Sequence, residues 1–172
     1  VNIETELNRV IPIIKNLKKI NSNIKISIDT TKYEVAKEAL DCGANFLNDI
    51  SGLRFEPKLA DLAYEYNVQL ILMHSRENPK IMQNNPFYND TINEVKNELK
   101  ESIKKAESKK ISKIIIDPGI GFAKGYEHNI EIINNIDKFY DLNYPILLGI
   151  SRKAFIGHIL KEKTPEKRDI GT

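Results

Sequence analysis

Five short apolar runs in this 172-residue chain each end in residues that can do chemistry. The run ends are Asp29, Asn48 with Asp49, His74, Asp117, and Ser151 with Lys153. A carboxylate accepts hydrogen bonds, an amide both donates and accepts, and an ammonium donates and carries charge. Taken singly, each has a plainer reading as an N-cap or a turn residue. Their recurrence at every run end favours a shared polar pocket, because the C-terminal ends of parallel strands converge on the ligand in α/β folds.

The segment Asp117-Pro118-Gly119-Ile120-Gly121-Phe122 has two readings. It is not a dinucleotide fingerprint, since the G-x-G-x-x-G pattern fails at Lys124, and it lacks the G-K-[ST] ending of a P-loop. Its two glycines either make a tight turn or clear the backbone so that a flat ligand can approach, with Phe122 supplying an aromatic contact.

These residues need elements to position them. The apolar runs 24–28, 46–47, 68–73, 114–116 and 146–148 alternate with helical patterns over 32–42, after Pro57, and over 91–107 and 127–139. A further amphipathic pattern, Ile3, Leu7, Val10, Ile14 and Leu17, opens the chain with no capping residue expected before it. Alternating strands and helices imply parallel β-α-β units buried on both faces. An open doubly wound sheet and a (β/α)8 barrel both fit. A whole barrel needs about 250 residues, so the barrel reading is a partial one, with about five of eight strands. The start inside a helical pattern favours it, and the expectation is a piece of a longer protein, cut at both ends.

Composition narrows the function classes. Lys and Arg number 26 against 24 Asp and Glu, a net charge of +2, so no single-sign field points to nucleic acid or an acidic membrane. No apolar run is long enough to span a bilayer, no signal-peptide pattern is visible, and one cysteine makes neither an internal disulfide nor a cysteine-based zinc cage. A cytoplasmic setting is expected. Cys42 reads as buried packing, His74 as a supporting residue, His128 and His158 as non-catalytic, Arg152 as a structural ion-pair partner, and 101–110 as a solvated helix face.

The motifs Ile28-Asp29-Thr30, Asn48-Asp49-Ile50, Ile71-Leu72-Met73-His74, Asp117-Pro118-Gly119-Ile120-Gly121-Phe122-Ala123-Lys124 and Gly149-Ile150-Ser151-Arg152-Lys153-Ala154-Phe155-Ile156-Gly157 resemble the dihydropteroate synthase family over essentially the whole chain. The resemblance implies one pterin-binding domain over 1–172, the middle and C-terminal part of a TIM barrel that lacks its first two strands and its last. The reaction it implies joins a dihydropterin pyrophosphate to p-aminobenzoate in folate biosynthesis, releasing pyrophosphate with Mg2+ whose protein ligand lies outside this chain. It assigns the pterin to Asp29, Asn48, Ile50, Met73, Asp117, Phe122, Gly149 and Lys153, a catalytic role to Lys153, and p-aminobenzoate to Ser151. These types suit the ligand: an amino-pyrimidine edge donates to carboxylates, Asn48 matches a mixed edge, and Lys153 donates to ring acceptors. The partners implied are small molecules, with no nucleic acid or membrane, in a homodimeric whole protein; the chain alone is expected to be inactive. Strand-end Asp and Asn are shared with pterin-binding methyltransferases, which Ser151-Arg152-Lys153 argues against. A non-catalytic pterin-binding fragment is the remaining alternative.

Overall fold

The computed structural model describes residues 1–76 and 86–172. Contacts divide them into two compact units, Val1–Met73 with Glu101–Ile115, and His74–Lys100 with Ile116–Thr172. The first contains α1 (Ile3–Ile20), β1 (Ser27–Asp29), α2 (Tyr33–Asp41), β2 (Phe46–Asp49), α3 (Leu59–Glu65) and β3 (Gln69–Met73). The chain then runs through α4 (Thr91–Ser108) and β4 (Ile114–Asp117) to α5 (Tyr126–Asn134), a 3-10 helix (Ile136–Leu142) and α6 (Ala154–Leu160).

The sheet order is β1-β2-β3-β4. The β1–β2 and β2–β3 pairs are parallel, with Asp29 opposite Asn48 and Asn48 opposite Ile71. Each strand lies beside its successor, without the reversal of order that defines a doubly wound sheet. Of the two folds that fit the sequence, this order is that of a partial (β/α)8 barrel. Four consecutive residues of β3, Leu70 to Met73, are buried, as expected for a strand covered on both faces. In the first unit Val35, Leu47, Leu59, Leu62 and Leu70 have no exposed surface; in the second, Ile116, Ile120, Ile132 and Phe139 have none.

Several boundaries differ from the sequence reading. The fifth expected strand, 146–148, is reduced to a single parallel bridge between Ile146 and Ile116. Its run lies between Pro145 and Gly149 and makes two ladder bonds, Ile116 N to Pro145 O and Leu147 N to Ile116 O. The first helix does have a cap: the Asn2 side chain accepts from Thr5 N at 2.8 Å. Strand β1 begins at Ser27 because side chains satisfy the backbone before it. Asn45 Oδ1 accepts from Ile26 N, and Lys18 Nζ donates to Ile24 O. The expected helix 127–139 breaks at Asn135, whose Nδ2 takes the Glu131 carbonyl at 2.8 Å in competition with the backbone. Cys42 is the half-buried C-cap of α2 rather than a core residue. No helix among the described residues is long and apolar enough to cross a membrane.

Candidate active site

In the first unit the parallel register sets Asp29 beside Asn48 at the C-terminal ends of β1 and β2. Asn48 Nδ2 donates to Asp29 Oδ1 at 2.9 Å. Its own Oδ1 is buried and has no hydrogen-bond partner among the described residues. A buried carbonyl left in that state costs free energy unless a ligand donor reaches it. Asp49, one residue on, alternates to the opposite face and is fully buried. It accepts from Ser51 N at 2.8 Å, Ser51 Oγ at 2.6 Å and Leu53 N at 2.6 Å. Burial pushes its carboxyl up from its ordinary value while those bonds pull it down. Asp49 therefore builds the loop after β2, with both of its oxygens engaged there. Ile50 is half-buried in that loop, and Met73 is buried at the end of β3.

The second unit holds the denser constellation. Asp117, buried at the end of β4, accepts from Gly119 N through Oδ1 at 2.7 Å. Its Oδ2 takes no hydrogen bond from the described residues and remains an open acceptor. Burial raises the Asp117 carboxyl above its ordinary range, opposed by the Gly119 N–H and the charges of Lys153 and Lys124.

The structure decides between the two readings of the glycines. Gly119 has φ +71°, and a Cβ there would lie 1.9 Å from the His74 carbonyl oxygen. Gly121 has φ +80°, and a Cβ there would meet Lys153 Cδ at 2.8 Å. Both glycines make room for the protein itself. A Cβ at Gly149 would meet only Lys153 Nζ, at 3.9 Å, so the backbone there leaves open space beside the ammonium.

Lys153 donates to the Ile120 carbonyl, and its Nζ sits 4.3 Å from the centre of the Phe122 ring. Burial lowers its pKa from the ordinary lysine value, and Asp117 opposes the shift. A cleft of about 450 Å³ lies beside it, with Gly121, Phe122, Lys153, Ala154, Phe155 and His158 in its walls. Ser151 is exposed in the turn before α6 and is not among the cleft residues. Arg152 is, as expected, an ion-pair residue: its Nε and Nη2 reach Asp169 at 2.6 and 2.9 Å. His128 Nδ1 accepts from Gly125 N, and His158 stacks on Tyr126 at 4.2 Å.

Sequence reasoning missed three residues that hold this loop. Lys124 is 2% exposed and donates to His74 Nδ1, Gly119 O and Phe122 O. Asn129 accepts from Gly121 N at 2.6 Å and donates to Gly125 O at 2.7 Å. Tyr88 donates to Ala123 O at 3.0 Å. The available signal was a lysine inside an otherwise apolar, glycine-rich segment with an amide five residues on.

Parallel strands in sequential order, each ending in polar residues, define a barrel-type ligand-binding enzyme scaffold. The family model for pterin binding enzymes matches residues 1–172, and the chain belongs to that family. A dihydropteroate synthase from Synechocystis sp. is 44% identical over 174 residues, covering 100% of this chain and 60% of that protein. The crystal structure of the dihydropteroate synthase from Stenotrophomonas maltophilia superposes with a TM-score of 0.92 at 38% identity, over 98% of this chain and 63% of that one. The Xanthomonas albilineans enzyme in complex with 7,8-dihydropteroate superposes with a TM-score of 0.90 at 36% identity, over 99% and 62%. The chain thus spans about three fifths of the length of the relatives it matches.

Proposed function

We propose that the whole protein is a dihydropteroate synthase, condensing 6-hydroxymethyl-7,8-dihydropterin pyrophosphate with p-aminobenzoate. The observation that carries this reading is Asp117: a buried carboxylate with one oxygen committed to Gly119 N and the other open. An amino-pyrimidine edge supplies the donors such an oxygen needs. Lys153, held by Ile120 O over Phe122, donates to the ring's acceptors. In the first unit, the buried Oδ1 of Asn48, without a partner among the described residues, and the Asp29 carboxylate beside it are the further acceptors proposed for the pterin. Ile50, Met73 and Gly149 serve as apolar or close-approach surface. Support for the product comes from the Xanthomonas relative, which holds 7,8-dihydropteroate.

In this reaction the arylamine nitrogen bonds to the pterin methylene carbon as the carbon–oxygen bond to pyrophosphate breaks. The amine gives up a proton and pyrophosphate leaves with the bonding pair. The leaving group is already good, so this chain's residues act chiefly by binding and orientation. For p-aminobenzoate, Ser151, exposed in the turn before α6, is the proposed contact, with the cleft walled by Phe122, Lys153 and Ala154 as a further surface in the same unit. Among the described residues no three His, Cys, Asp or Glu side chains form a group that could hold a metal. Mg2+ is usually bound through one or two carboxylates together with substrate phosphates, so the ion implied by the resemblance would be held mainly by the pyrophosphate and would serve to neutralise its charge. The whole protein is proposed to be a cytoplasmic homodimer.

The test is product formation. The whole protein, given both substrates, should yield 7,8-dihydropteroate by mass spectrometry and release pyrophosphate in equal amount. Pterin binding without product would leave a pterin-binding module, and methyl transfer to a corrinoid protein would place it with the methyltransferases.

A further inference from the structure

We propose that Lys124 is a positioning residue, whose buried ammonium fixes the turn carrying Asp117 and Phe122 in its pterin-binding shape through His74 and two loop carbonyls. This rests on the pterin reading above. An ammonium has three protons, and Lys124 finds three close acceptors: His74 Nδ1 at 2.8 Å, Gly119 O at 3.0 Å and Phe122 O at 3.0 Å. Gly119 and Phe122 bracket the turn after Asp117, so one side chain spans it end to end.

The arrangement sets the state of His74. The charged lysine offers only donors, so Nδ1 must accept, and the proton sits on Nε2, 3.0 Å from Glu98 Oε2. Burial first, and the Lys124 charge second, hold this imidazole neutral down to a pKa of about 4. The other Glu98 oxygen takes Arg76 Nε at 2.7 Å. The Arg76 guanidinium lies 4.0 Å from the centre of the Tyr88 ring. Tyr88 then donates to Ala123 O, the residue before Lys124. The circuit from Lys124 through His74, Glu98, Arg76 and Tyr88 closes on the loop it left. An apolar side chain at 124 would fill the same space, take this donor from His74 Nδ1 and the Phe122 carbonyl, and leave the Gly119 carbonyl with the Phe122 N–H as its remaining donor among the described residues.

The groups facing the ammonium are His74 and Arg76 after β3, Glu98 on α4, Asp117 on β4 and Lys153 before α6; the Tyr88 and His128 rings meet edge-on, 4.9 Å apart between their centres. Burial lowers Lys124 to about 7, with Asp117 and Glu98 opposing. The neutral amine has one donor fewer, so the clamp slackens above neutrality.

The experiment measures calorimetric Kd for 6-hydroxymethyl-7,8-dihydropterin pyrophosphate on the whole protein, from about pH 6 to about pH 9. Three proteins are compared: wild type, Lys124→Met and Tyr88→Phe. Wild-type affinity should weaken as pH rises through neutrality. Lys124→Met should raise Kd roughly tenfold or more at the acid end and lose that limb. Tyr88→Phe, which keeps the ring and loses one loop bond, should raise Kd by about threefold to tenfold. Should Lys124→Met not fold, the wild-type limb and Tyr88→Phe decide. A pH-independent wild-type Kd together with wild-type affinity in Tyr88→Phe overturns the proposal. A wild-type protein that does not bind this pterin at any pH overturns the functional reading itself, a distinguishable result.

Discussion

Asn48 donates its amide to Asp29 at 2.9 Å, and its own buried carbonyl oxygen meets no donor among the described residues. An unsatisfied buried acceptor costs about 1–3 kcal/mol, which the free protein bears and a ligand donor would relieve. Replacing Asn48 with Leu removes that orphan and one half-exposed hydrogen bond. The Asn48→Leu protein should melt no lower than wild type while its Kd for the pterin rises roughly tenfold or more. Differential scanning calorimetry and titration calorimetry check the two halves. Lower stability with unchanged pterin affinity would assign Asn48 to the fold.

Asp117 is tested by keeping its shape and removing its charge. In Asp117→Asn the Oδ1 bond from Gly119 N can persist, so the melting temperature should stay within a few degrees. The open position then presents an NH2 group to a ligand donor. One charge-assisted bond is lost at about 1.5–3 kcal/mol and one donor is left facing a donor at about 1–3 kcal/mol, so the pterin Kd should rise by on the order of 10² to 10⁴. In wild type the raised carboxyl predicts that affinity falls as pH drops through its pKa, since only the carboxylate accepts from both donors. An unchanged Kd would leave Asp117 only the Pro118-Gly119 turn.

The two loop glycines should respond differently to alanine. At Gly119 the new Cβ would collide with a backbone oxygen at 1.9 Å, which cannot move without breaking the His74 N to Asp117 O bond. Gly119→Ala is expected not to accumulate as folded protein. At Gly121 the collision is with the Lys153 stem, and the positive φ adds about 1–2 kcal/mol of strain. Gly121→Ala should fold, lose about that much stability, and reduce turnover by pushing the ammonium off the Ile120 carbonyl. Lys153→Ala should lose turnover strongly with the fold intact, and Lys153→Arg should recover it only partly, because a planar fork does not replace a point donor. Near-normal kcat/KM in Lys153→Ala would remove Lys153 from the site.

His74 predicts an acid limb in stability. Its pKa is lowered to about 4 in the folded protein, against about 6.5 unfolded. Between those values the unfolded chain binds a proton that the native protein does not. The stabilisation is whole above about 6.5 and is lost as pH falls to about 4. Urea unfolding of the whole protein across that window should show the loss, and His74→Gln should lack this component. An identical pH dependence in the variant would mean that His74 titrates normally.

The sequence alone determined the order of strands and helices and the polar residue at the end of each apolar run. Those signals are local: hydrophobic period fixes the element, and the first residue past an apolar run is where the strand stops. The Asp117–Phe122 and Ser151–Lys153 motifs, with their neighbours, were enough to point to the family. The pairing order, which separates a barrel from a doubly wound sheet, came only from the structure, because both folds are written with the same β-α-β alternation. Tertiary contacts also sorted residues of one type into different tasks. Asp49 and Asp117 both end a strand, but only Asp49 has both of its oxygens taken up by its own loop. Lys124 stood out only as a lysine in an apolar, glycine-rich segment; its role was not legible because its acceptors are a histidine 50 residues away and carbonyls of its own turn, which become neighbours only when the backbone closes on the two glycines. Burial and proximity across sequence distance are properties of the folded chain, and they decide which polar residue binds, which one supports, and which one merely ends a strand.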